Sequence, residues 1–207
     1  MKKIILTAIA VFAFGFANAQ KVEFGAKAGI NLAKLTDFEE ANPSNRVGFL
    51  GGVFAEIKLT EKFSIQPEIL YSEEGVKGKL NDLEIVQISS SIDANFTLKL
   101  SYIRIPVLAK FYASEAFYFE AGPQIGFLTS SKMKVKTNFN SAEGTQDLKD
   151  TFKSVDYNMA VGLGYNFTKK ISLTGRYNFG LTNIAKESED DSKTKNSVFS
   201  FAVGYKF

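Results

Sequence analysis

Four charged residues pose the first chemical question in this sequence. Glu68, Arg104, Glu120 and Arg176 each occupy a polar position in a segment whose alternate residues are apolar. Carboxylates beside guanidinium groups can relay protons or line an ion path. In a space of low dielectric they can equally pair and fill it as a plug. The same phase places Glu23, Lys27, Glu56, Lys58, Lys110, Asp156 and Lys206 with them. The chain contains no histidine and no cysteine. That removes the commonest general base, the Ser-His-Asp and Cys-His arrangements, disulfides, and every His- or Cys-ligated metal centre. No catalytic residue, cofactor site or metal site is expected.

Two further groups could do chemistry. Glu187, Glu189, Asp190 and Asp191 could offer carboxylate oxygens to a divalent cation, although Lys186 and Lys193 flank them and a solvated loop is the plainer reading. Lys132, Lys134 and Lys136 recur at every second position and so share one face of an extended strand. Either they meet lipopolysaccharide phosphates or they solvate a projecting hairpin.

The elements that must position these residues show a period of two. Phe24, Ala26, Ala28, Ile30 and Leu32 oppose Glu23, Lys27 and Asn31. Val47, Phe49, Val53, Ala55, Ile57 and Leu59 oppose Gly48, Gly52, Glu56 and Lys58. Phe63, Ile65, Ile69 and Tyr71 oppose Ser64, Gln66 and Glu68, and Ile103, Ile105, Val107, Ala109 and Phe111 oppose Arg104 and Lys110. Four more segments follow, around 117–127, 155–167, 171–181 and 199–207. Alternation of this length is strand behaviour.

A soluble sandwich also alternates, so other features must decide. Aromatics cluster near the segment ends, as in Phe63/Tyr71, Phe167/Phe179 and Phe199/Phe207, which suits girdles at two membrane interfaces. The opposite face carries Glu, Lys, Arg, Asn and Gln, which suits a polar barrel interior. Connections alternate in length. Thr60–Lys62, Tyr112–Ala116 and Thr168–Lys170 are tight turns, whereas Lys34–Arg46, Ser72–Leu98, Leu128–Ser154 and Thr182–Ser197 are long and polar. These features together predict an all-β fold, an eight-stranded antiparallel up-and-down transmembrane β-barrel with its long loops outside the cell. Pro67, Pro106 and Pro123 fall within strands, where local bulges are expected.

The first residues read as an address. Met1-Lys2-Lys3 is basic, the stretch from Ile4 to Phe16 is apolar, and Ala17-Asn18-Ala19 fits the small-x-small cleavage rule. Residues 1–19 are therefore expected to be a cleaved signal peptide and residues 20–207 the barrel domain. Loss of Lys2 and Lys3 leaves 23 basic residues (25 less 2) against 22 acidic ones, a balance of +1 that does not suit nucleic acid.

With the strands placed, Gln66-Pro67-Glu68-Ile69-Leu70-Tyr71-Ser72 with Gly75, Tyr102-Ile103-Arg104-Ile105-Pro106-Val107-Leu108 and Phe119-Glu120-Ala121-Gly122-Pro123 form an ordered set of motifs. Together with Gly25–Asn31 and Gly204-Tyr205-Lys206-Phe207, they resemble the PorT-like outer-membrane β-barrel family of Bacteroidetes over essentially the whole mature chain. The resemblance implies an eight-stranded barrel of the OmpA/OmpX type and little about activity. The terminal Phe207 resembles the signal read by the barrel-assembly machinery, and is also a plain interface aromatic. The partners to expect are outer-membrane lipids and lipopolysaccharide, that assembly machinery, and an unknown protein or surface ligand at the external loops. The leading expectation is a non-enzymatic structural, adhesive or partner-binding barrel. A periplasmic lipocalin-like lipid carrier and an outer-membrane lipid-modifying enzyme are the alternatives.

Overall fold

The alternation becomes a closed wall. In the computed structural model, residues 21–36, 44–83, 92–137, 143–186 and 193–207 are described. The expected export signal at 1–19 and the acidic residues Glu187, Glu189, Asp190 and Asp191 lie outside them. The strands are β1 (Lys21–Leu35), β2 (Ser44–Lys58), β3 (Phe63–Leu83), β4 (Ile92–Tyr112), β5 (Phe117–Thr137), β6 (Glu143–Asp147), β7 (Val155–Asn166), β8 (Ile171–Gly180) and β9 (Asn196–Lys206). Each long strand pairs antiparallel with its neighbour, and β1 closes the ring against β9 from Gly25↔Lys206 to Leu35↔Asn196. The short β6 stands outside this ring, on the far end of β5. The expected eight-stranded antiparallel barrel is thus what the chain forms.

The faces follow from size. An eight-stranded barrel encloses room for side chains and little else. Ile30, Phe49, Val53, Ile69, Phe119, Leu163 and Phe201 point outward and are exposed, whereas Lys27, Asn31, Glu56, Glu68, Glu120 and Arg176 are buried. This inverts the order of a water-soluble protein, and a lipocalin-like carrier would need the opposite arrangement. Ile57, expected on the open outer face, is buried; its ladder neighbours are Val22 and Ile65.

At the end that carries both described chain ends, the strands join through residues 59–62, 113–116 and 167–170. A hydroxyl closes each turn. Thr60 Oγ1 accepts from the Phe63 amide (3.0 Å), Ser114 Oγ from Phe117 (3.0 Å) and Thr168 Oγ1 from Ile171 (2.9 Å). Such side-chain acceptors are what make Ser and Thr turn formers.

Two expectations are corrected here. The segments Ser72–Leu98 and Leu128–Ser154 are not loops throughout, because β3, β4 and β5 continue well into them. Their outer ends pair with one another (Val76↔Leu98, Leu98↔Met133) and bury Val76, Phe96, Leu98 and Leu100 on one face. Polar residues on the other face dilute the signal. The prolines also make no bulge. Pro67 opposes Val107, Pro106 opposes Gln124 and Pro123 opposes Met159 with the register unbroken. Each proline forfeits one donor, which needs no inserted residue. The register shifts lie elsewhere, at Asn45/Leu50, Leu80/Leu83 and Ser101/Tyr102.

Candidate functional site

The interior fills in layers. Nearest the turns, Lys206 Nζ lies 2.8 Å from Glu23 and 2.7 Å from Glu56. Glu56 also accepts from Ser64 Oγ (2.9 Å) and from the Tyr112 hydroxyl. Lys110 donates to Gln66 Oε1 (3.0 Å) and stands 3.8 Å from the centre of the Tyr118 ring. Strands β1, β2, β3, β4, β5 and β9 supply this layer, each through its inward phase.

Above it, Arg176 of β8 spans the lumen. Its guanidinium donates to Glu68 from both terminal nitrogens (2.9 and 3.0 Å) and to Glu120 from Nε (2.7 Å). Lys27 (2.7 Å) and Gln66 Nε2 (2.6 Å) complete the shell of Glu68. Glu68 and Glu120 are thereby charge-paired in a place where an unpaired carboxylate would be very costly. Leu50, Leu70 and Ala202 form a small apolar patch in the lumen.

The next layer belongs to Arg104. It binds Glu74 through Nε (2.9 Å) and a terminal nitrogen (2.5 Å), and Asp156 through the other (2.8 Å). The guanidinium lies 4.1 Å from the Tyr102 ring centre. Asn196 donates to Asp156 (2.8 Å), and Ser72 donates to Glu74 (2.9 Å). Glycines opposite make space: a Cβ on Gly126 would sit 2.3 Å from an Arg104 nitrogen, and one on Gly164 2.1 Å from the Tyr118 ring.

An apolar cap closes the loop end. Leu35, Val76, Phe96, Leu98, Leu100, Tyr102 and Leu128 of the wall pack with Phe152 and Ile184 from the connecting segments. A bridge between Phe152 and Ala185 ties these segments together. The space left in the lumen is correspondingly uneven. A vestibule of about 620 Å³ opens among the turns, near Lys58, Glu61, Lys62 and Tyr112. Between the Arg176 and Arg104 layers the void is about 20 Å³, room for about one water molecule. Phe152→Ala is expected to cost about 3 kcal/mol and to raise cleavage by trypsin after Lys149 and Lys153. Unchanged cleavage and stability would mean that the cap contributes nothing.

Of the four residues singled out by phase, three meet: Glu68, Glu120 and Arg176. Arg104 has different partners one layer higher. Its partner Glu74 fell in a segment read as a loop, yet counting by twos from Glu68 through Leu70 and Ser72 reaches Glu74 and would have found it. Inward aromatics were missed altogether; Tyr102, Tyr118 and Phe54 are buried in the lumen. For two of them the signal is an interior glycine beside the ring, Gly164 for Tyr118 and Gly25 for Phe54. Phe207 is exposed, with its ring 6.2 Å from Tyr205 and its amide bonded to Phe24 O (3.0 Å). Among the described residues no acidic cluster is grouped to hold a metal ion, and no helix is long and apolar enough to cross a membrane, which says nothing of strands.

Residues 17–186 match the family model described as outer membrane protein beta-barrel domain. No curated protein matches the chain. Among solved structures, it is similar to Neisserial surface protein A (13% identity, 92% of this chain and 100% of that one, TM-score 0.49). It is also similar to Ail, the attachment invasion locus protein of Yersinia pestis, solved with the heparin analogue sucrose octasulfate (14% identity, 90% and 99%, TM-score 0.47). A third is CarO of Acinetobacter baumannii (11% identity, 88% and 97%, TM-score 0.44). The family match covers most of the wall described above, and the chain belongs to the outer membrane protein β-barrel domain family as a small eight-stranded barrel of the outer membrane.

Proposed function

We propose that this barrel is a non-enzymatic, non-conducting surface protein whose plugged wall presents the loop end to the cell exterior for structural, adhesive or partner-binding work. The observation that carries this reading is the interior. Three charged layers beneath an apolar cap leave only about 20 Å³ between the two arginines. In this reading Glu68, Arg104, Glu120 and Arg176 hold the strands together and do not pass ions. The lack of His and Cys supports a non-enzymatic role. Within its family, the motifs around Pro67, Pro106 and Pro123 favour the PorT-like branch of Bacteroidetes. Residues 1–19 serve as the cleaved export signal, and Phe207 is read by the barrel-assembly machinery. The mass of the exported protein and the membrane yield of a Phe207 deletion test those two assignments.

Two measurements test the main reading. In planar bilayers the purified protein is expected to give no discrete conductance steps; steady ion-selective steps would overturn the plug. Gly144 faces open space and the chain has no cysteine, so Gly144→Cys offers a single reporter thiol. An impermeant maleimide is expected to label it on intact cells. Labelling only after lysis would place the loop end inside and end the surface role.

A further inference from the structure

Beyond the apolar belt, the outer ends of β4, β5 and β6 turn a basic face away from the lumen. Phe96, Leu98 and Leu100 face inward with Met133 and Val135, under the cap. The alternate residues Thr97, Lys99, Lys132, Lys134 and Lys136 therefore face outward, and the last three are exposed. Register places Lys99 directly across from Lys132, and Lys134 between Thr97 of β4 and Thr145 of β6. Lys77 of β3 stands on the other side of Thr97. Acidic neighbours are unevenly shared. Lys99 is bonded to Glu73, which Arg46 also holds (3.1 Å); Asp147 stands opposite Lys132 and Glu143 opposite Lys136. Lys134 alone of the β5 lysines has a hydroxyl residue on each side.

Height says what meets this face. The outward apolar run of β5 from Phe117 to Phe127 rises about 25 Å along the membrane normal, at about 3.3 Å per residue and a tilt of ~40°. That equals the height of an outer-membrane apolar band. By the same arithmetic Lys132 stands about 13 Å and Lys134 about 18 Å above Phe127. A phospholipid headgroup layer is only about 6 Å deep. The lysines therefore stand at the level of the sugar phosphates of a large glycolipid. Lys99 and Lys132 stand directly opposite one another, and Glu73 compensates Lys99, so the outward charge of this face lies chiefly on the β5 lysines.

We infer that this face binds the phosphorylated sugar headgroup of lipopolysaccharide, with Lys134 at the centre of the site, Thr97 and Thr145 as flanking hydroxyl donors, and Lys132 beside it. The assignment rests on the surface orientation proposed above, which the Gly144→Cys labelling tests separately.

The experiment uses the full-length exported protein purified in detergent, titrated with rough lipopolysaccharide, with the same material dephosphorylated, and with inorganic phosphate as competitor. The combined variant Lys132→Gln, Lys134→Gln, Lys136→Gln is expected to bind at least about tenfold more weakly. Its unboiled gel mobility should be unchanged, since these side chains are exposed on the outer face. Should that variant fail to fold, the exposed single change Lys134→Gln is expected to weaken binding about threefold. Wild-type protein should bind dephosphorylated lipopolysaccharide poorly, and inorganic phosphate at equal concentration should not displace the glycolipid. Equal affinity of wild type and variants would overturn the inference, as would indifference to dephosphorylation. Displacement by inorganic phosphate at equal concentration would reduce the site to one for free phosphate and overturn the lipid assignment. Tighter binding of heparin than of lipopolysaccharide would overturn it in favour of a sulfated glycan partner.

Discussion

Arg104→Ala is expected to destabilise the barrel by about 3–5 kcal/mol without opening a conducting path. The guanidinium is the cation shared by Glu74 and Asp156, and all three side chains are buried. Its removal leaves two carboxylates in a space of low dielectric with, among the described residues, Ser72, Thr182 and Asn196 to bond them. Neutral donors recover part of the lost interaction but none of the charge compensation. Arg176→Ala should cost a comparable amount, because Lys27 remains 2.7 Å from Glu68 but buried Glu120 loses the guanidinium that holds it. Adding Glu74→Gln and Asp156→Asn to Arg104→Leu should recover much of the stability, since a neutral set has no charge left to compensate. Urea unfolding in detergent, followed by far-ultraviolet circular dichroism because the chain has no tryptophan, measures each step. A rise in conductance with stability unchanged in Arg104→Ala would overturn the plug.

The second large effect belongs to the seam. Gly29 of β1 opposes Ala202 of β9 where the ring closes. A Cβ at Gly29 would lie 2.0 Å from the Phe201 carbonyl oxygen and 2.6 Å from Ala202 Cα. Both contacts are backbone, so no rotamer change relieves them and the two strands must part. Gly29→Ala is expected to cost about 3 kcal/mol or more and to abolish the fast-migrating unboiled band that marks a closed barrel. Gly51→Ala is the control. Its Cβ would meet only the Lys27 carbonyl oxygen, at 3.7 Å, an ordinary contact, and the change should stay within about 0.5 kcal/mol. Normal closure of Gly29→Ala would mean that the wall breathes more than its register implies.

Much of this molecule is legible from residue order because a strand has a period of two. Once Lys27, Glu68, Glu120 and Arg176 lie on the phase opposite Phe24, Ile69, Phe119 and Tyr177, only one face can be wet and only one can meet lipid. The tight turns read clearly too, since Thr60, Ser114 and Thr168 act on amides two or three residues away. The outer ends of β3, β4 and β5 were harder to see. There one face packs under the cap and the other carries lysine, serine and threonine, so a stretch such as Lys132–Lys136 reads as a polar loop.

Residue order alone determined the strand phase, the sidedness of the wall, the turn chemistry and the absence of histidine and thiol chemistry, all of which depend on neighbours a few positions apart. Tertiary structure alone decided which charges meet. The stagger between neighbouring strands sets Arg104 against Glu74 and Asp156 and leaves Arg176 to join Glu68 and Glu120. It also carried Phe152 and Ile184 over the mouth. These contacts link residues tens of positions apart across a tilted, closed ring, and nothing in local spacing encodes the height at which each side chain enters it.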